Sequence, residues 1–196
     1  VNNPSNQPRM SLGYAAMSLL VVLKHSGHVK LPDNLPDLVP YLRRKQSENQ
    51  AYSAIARHLS DRIPVFIVSE HLKGVAHAIK NQINENAKTP AFWNYFPELS
   101  HNEMVGFTLP QADFHVLTLA DSEEHPQNKK RIAITSDLFK ERGIDMTIFE
   151  IKGTEIFSKI FSTLLLGDWT SYHLALAYGQ DPTPVEMVED LKKRLQ

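Results

Sequence analysis

The run Ile63-Pro64-Val65-Phe66-Ile67-Val68 is apolar throughout, with Asp61-Arg62 before it and Ser69-Glu70 after it. A strand with one face in water alternates apolar and polar side chains. A short continuous apolar run instead puts both faces in a core. A helical pattern follows at once and reaches about residue 86. A buried strand feeding a helix is the unit of a parallel sheet, which needs helices on both faces.

The rest of the chain extends that unit. Residues 89–94, 114–120, 131–135 and 146–151 read as further strands, and a helix to residue 142 follows the strand 131–135. Helices are expected over 10–25, 41–59, 154–178 and 185–195. Residues 1–9, with Pro4 and Pro8, and the polar stretch 121–130 read as loops. The expected fold is a three-layer αβα domain with a five-stranded parallel sheet and extra flanking helices. It divides into a helical lead-in (1–60), a sheet core (61–153) and closing helices (154–196).

Composition narrows the function classes. The chain has 196 residues, 42% of them hydrophobic, enough for one α/β domain with a real core. A net charge of −1 gives no basic excess for nucleic acid or an anionic membrane. A local cluster can still hold a small anion. There is no Cys, which excludes disulfides, thiolate catalysis and cysteine-based zinc sites. The apolar stretch 10–23 is broken by Ser, Gly and Tyr and stops at Lys24, too short to span a bilayer. It lacks the basic flank of a signal peptide. A cytoplasmic location is expected. The chain opens on Val1 in a polar segment, as a piece of a longer protein would.

Open parallel sheets bind ligands beyond the carboxyl ends of their strands. Ser69 lies there, where a helix N-terminus offers N–H groups to an anion; an ordinary helix cap is the competing reading. Glu85 sits in the last turn of the next helix, against the helix dipole, at a cost of roughly 0.3–1 kcal/mol. Either it is a solvated surface acid or it is held there as a general base. His101, within Pro97-Glu98-Leu99-Ser100-His101-Asn102-Glu103, follows a helix-start signal and can move a proton near neutral pH. No HExxH or third ligand accompanies it, so a metal is not expected. Arg9 precedes the first helix and can hold a phosphate or an oxyanion, or serve only solubility. Lys192 and Lys193 complement a helix end by the plainer reading.

Five segments taken in order resemble the carboxyl-terminal half of the bifunctional phosphoglucose/phosphomannose isomerases, of the SIS (sugar isomerase) superfamily. They are Gln7-Pro8-Arg9 with Leu12-Gly13-Tyr14; Gln82-Ile83-Asn84-Glu85-Asn86; Pro90-Ala91-Phe92; Pro97 to Glu103 with Val105-Gly106; and Asp181-Pro182-Thr183-Pro184-Val185 leading to Leu191-Lys192. The resemblance implies a flavodoxin-like SIS domain, paired with an upstream SIS domain absent here, in a homodimer. It implies aldose–ketose isomerisation of hexose 6-phosphates with no metal and no cofactor. Glu85 would be the base moving a proton between C1 and C2. His101, lent by the neighbouring subunit, would assist ring opening together with Lys192. Arg9 would stabilise the enediolate, and Thr183 would make room for both C2 epimers. Two alternatives stand beside this: a sugar-phosphate-binding SIS module without catalysis, and a SIS isomerase for another sugar phosphate.

Overall fold

The computed structural model describes residues 7–153 and 155–196. The part of the 1–9 loop before Gln7, with Pro4, lies outside the described residues. Four parallel strands form one sheet: β1 (Ile63–Ser69), β2 (Phe92–Phe96), β3 (Phe114–Asp121) and β4 (Asp145–Ile151), in the order β2-β1-β3-β4. β1 is central, pairing Val65 with Phe92 on one side and with Val116 on the other.

The central strand explains its own composition. Phe66, Ile67 and Val68 are fully buried, each contributing about 1.5–3 kcal/mol by burial. Phe66 and Val68 pack on one face with Leu117, Leu119 and the helices α3 (Asn49–Leu59), α4 (Lys73–Asn86) and α7 (Ile156–Ala177). Val65 and Ile67 face the other side with Val116, Leu99, Phe107 and α6 (Pro126–Glu141). Strand alternation thus supplies two cores from one apolar run, giving the three layers.

The sheet has four strands, not five. Residues 131–135, expected as a strand, lie inside α6. Pro126 stands at the first helical position, where it needs no N–H partner, and His125 caps it by accepting from the Gln127 amide. Ile132, Thr135 and Phe139 are the buried residues of α6, a helical spacing. The expected loop 121–130 therefore ends at Pro126. The expected helix over 41–59 is two, α2 (Leu38–Gln46) and α3.

Two helices stand apart from the core. Among the described residues neither α1 (Leu12–His25) nor α8 (Glu186–Arg194) buries a side chain. No helix among the described residues is long and apolar enough to cross a membrane.

Candidate functional site

Helix α4 runs back along the sheet, so its last turn lies beside the amino ends of the strands. Glu85 sits in that turn. Its carboxylate Oε2 is 3.0 Å from Nη1 of Arg9, whose side chain is 5% exposed while that of Glu85 is 39% exposed. Arg9 reaches there from a short 3-10 turn, Pro8–Ser11.

A guanidinium has five N–H donors and no acceptor, and Arg9 uses all five. Nε donates to Asn86 Oδ1 at 2.6 Å, and Nη1 to Gln7 Oε1 at 2.8 Å and to Glu85. Nη2 donates to the carbonyls of Pro182 and Thr183 at 2.8 and 2.9 Å. Lys88 holds the same loop. In the left-handed region at φ 59° just past α4, it donates to the carbonyls of Pro184, Pro182 and Glu85. Burial of its ammonium, then repulsion from Arg9, lowers its pKa against the attraction of Asp181, Glu85 and Glu186. Two cations therefore clasp the 182–184 loop onto the end of α4. The loop also ties itself, with the Thr183 amide donating to Asp181 Oδ1 at 2.8 Å.

This corner opens on a cavity of about 750 Å³ lined by Gln7, Pro8, Glu85, Val185, Glu189 and Lys192, among others. Lys192 is exposed and pairs with Glu189 at 2.7 Å. Arg9, Glu85, Thr183 and Lys192 thus share one end of the domain, brought there from residues far apart in sequence.

Ser69 and His101 lie at the opposite end. His101 follows a 3-10 turn, Glu98–Ser100, beyond the carboxyl end of β2. It is exposed, and its Nδ1 is 3.2 Å from Asn102 Oδ1. The whole of β2 separates it from Glu85, five residues at about 3.3 Å each, or roughly 17 Å. Ser69 is buried with its hydroxyl unpartnered, and it makes no side-chain cap. β1 runs into a three-residue 3-10 turn before α4 starts at Lys73, so Ser69 does not adjoin that helix.

The carboxyl end of the sheet holds a cluster that sequence reasoning missed. Asp121 ends β3 in the crevice where the strand order reverses. Lys159 of α7 reaches it at 2.9 Å, and His71 Nε2 at 3.0 Å. Lys159 also pairs with Glu123. Burial raises the Asp121 pKa, but bonds from Lys159, the Glu123 amide and His71 outweigh it and leave it lowered. Burial likewise opposes the Lys159 charge, and Asp121 and Glu123 outweigh that, leaving it raised. A neutralised pair occupies the position where open α/β sheets usually receive a ligand. Among the described residues no group of three or more His, Asp or Glu could hold a metal ion.

The α4–α7 seam behind Glu85 is polar. Asn86 Nδ2 donates to Ser171 Oγ at 2.8 Å, and Gln82 Nε2 donates to Asp168. Burial pushes Asp168 up to about 7, with the Gln82 bond pulling against it. Gly167 permits this closeness. A Cβ there would meet Gln82 Oε1 and would lie 2.6 Å from Ile79 Cγ1.

Comparison with known proteins matches this arrangement to a family. Residues 47–195 match the model of the bacterial phospho-glucose isomerase C-terminal SIS domain. The chain is 34% identical over 204 residues to a bifunctional phosphoglucose/phosphomannose isomerase of Caldicellulosiruptor bescii, covering 96% of this chain and 60% of that one. It is 33% identical over 193 residues to the protein of the same name from Aquifex aeolicus, covering 97% and 59%. The chain therefore spans about 60% of the length of these curated relatives. A glucose-6-phosphate isomerase like protein from Thermus thermophilus shares the fold, with a TM-score of 0.66 at 20% identity, over 88% of this chain and 59% of that one. On the match of its larger part to that model, the chain belongs to the family of bacterial phosphoglucose isomerase C-terminal SIS domains.

Proposed function

We propose that this domain supplies the general base of an aldose–ketose isomerase acting on hexose 6-phosphates, converting glucose 6-phosphate and mannose 6-phosphate to fructose 6-phosphate. One observation carries the reading: a part-exposed Glu85 carboxylate, fixed by a buried Arg9, opens on a cavity that Lys192 also lines. The names of the curated relatives point to the same substrates.

The chemistry assigns each group a task. Glu85 takes the proton from C2 of the open-chain aldose and returns it to C1 through a cis-enediolate, while the O2 hydroxyl proton passes to O1 so that the carbonyl moves from C1 to C2. Arg9 places a fixed positive charge beside the carboxylate, near the developing enediolate oxygens. Because its donors are all engaged, it acts by charge at short range. Lys192 assists ring opening from the cavity wall. Thr183, its backbone held by Arg9 and Asp181, contributes its hydroxyl near C2 and so tolerates both epimers. Ser69 is buried at the far end of the sheet, away from this cavity, and takes no part in this reading.

His101 cannot join Glu85 within one chain, because β2 stands between them. The reading therefore includes a homodimer in which a second copy lends His101, and an upstream SIS domain that grips the phosphate. The apolar α1, with Leu19 59% and Val22 62% exposed, provides surface for such contacts. A cytoplasmic setting and chemistry without metal or cofactor go with this reading.

The test is turnover of fructose 6-phosphate by the full-length protein in D₂O. Both aldose 6-phosphates are expected, carrying solvent deuterium at C2. Failure to form either aldose, together with no exchange into fructose 6-phosphate, overturns the reading.

A further inference from the structure

We propose that Asn86 and Ser171 are positioning residues for Glu85, acting through Arg9; the inference rests on Glu85 being the base. The bonds leave one direction for the relay. Arg9 has no acceptor, so the Asn86 side-chain oxygen must face Nε and its amide nitrogen must face Ser171. The Ser171 hydroxyl donates to the Asp168 carbonyl at 2.9 Å, so it accepts from Asn86. Asn86 is 5% exposed and Ser171 fully buried.

The relay anchors a part-exposed base to the interior of the longest helix. A lone Glu in the last turn of α4 has several staggered rotamers of similar energy. Arg9 selects one, but Arg9 is itself a long side chain from a short turn. Asn86 fixes the plane of the guanidinium from behind through Nε, while Nη1 holds Glu85 in front. Ser171 stops the Asn86 amide from turning over. The charged groups around Glu85 are Arg9, Lys88 at its carbonyl, and Glu186, Glu189, Asp190, Lys192 and Lys193 across the cavity.

Two variants of the full-length protein test this, with fructose 6-phosphate as substrate. Ser171→Ala leaves every group that faces the cavity in place. It is expected to lower kcat about tenfold, as small misplacements of a reacting group do, with KM within about twofold. Asn86→Asp keeps the size and the bond to Arg9, while the Ser171 hydroxyl can turn to donate. It adds a carboxylate that competes with Glu85 for Arg9. Its kcat is expected to fall about tenfold as Arg9 turns from Glu85 toward the new charge, with KM within about twofold.

A purely structural role would lower melting temperature and yield but leave the kcat of folded protein unchanged. If Ser171→Ala does not fold, Asn86→Asp carries the test alone. Folded variants with wild-type kcat overturn the relay. Glu85→Gln, run alongside, separates the two failures. Its loss of activity beside wild-type relay variants overturns the relay only, whereas its retained activity overturns the base assignment itself.

Discussion

On the proposed function, replacing Glu85 with Gln is expected to lower kcat for fructose 6-phosphate by about 10³-fold, inside the 10²–10⁴ that a positioned general base supplies. The amide has the size of the carboxylate and can still accept from Arg9, so the loop clasp and the melting temperature persist. What it loses is the capacity to hold a proton between C2 and C1. KM is expected to change by less than about threefold, because contacts away from the reacting carbons are untouched. Steady-state kinetics on the full-length variant decide it. A variant that keeps more than a tenth of wild-type kcat shows that another group moves the proton.

The second large effect is on stability. Lys159 and Asp121 are each 4% exposed in their side chains and meet at 2.9 Å. Lys159→Ala leaves a buried carboxylate without its cation, with only His71 and the Glu123 amide in contact. Breaking a buried pair from one side costs about 3–5 kcal/mol. The pH dependence follows from the direction of each shift. The folded Asp121 pKa lies below its ordinary 3.8, so its stabilisation is complete above that value and is lost as pH falls through the folded value. The folded Lys159 pKa lies above 10.5, so its share is present below that value and fades as pH rises past the folded one. Wild type minus Lys159→Ala, measured by urea unfolding, should therefore be widest on the plateau between these limits and shrink in acid. A difference below about 1 kcal/mol at pH 7 contradicts the account.

The sheet was legible where one kind of signal dominated. The apolar run at Ile63 to Val68 reads as a strand buried on both faces, and it lies inside the sheet between β2 and β3. Residues 131–135 misled because Arg-Ile-Ala-Ile-Thr carries β-branched side chains in a strand-like run. The deciding features were nonlocal: Pro126 opening a helix, and Phe139 burying against the same core as Ile132. The break between α2 and α3 at Ser47-Glu48 has no Gly or Pro to announce it.

The candidate site was legible as residue types and not as partners. Arg9 and Glu85 were singled out separately, 76 positions apart, and only the fold shows that they touch. Thr183 was singled out for its hydroxyl, whereas its carbonyl makes the contact with Arg9. Lys88 was passed over, although a Lys directly after a helix's last turn is a signal for binding free carbonyls. Asp121 and Lys159 are separated by 38 positions, and no pattern of spacing joins them.

Glu85 and His101, at opposite ends of one sheet, serve a single active site only if two copies combine. The direct test mixes full-length Glu85→Gln and His101→Ala subunits after denaturation and refolding together, each inactive alone. Random pairing makes half the dimers hybrids with one intact site of two, so about a quarter of wild-type activity should return. A mixture no more active than its two components would show that the base and the imidazole do not share a site across copies.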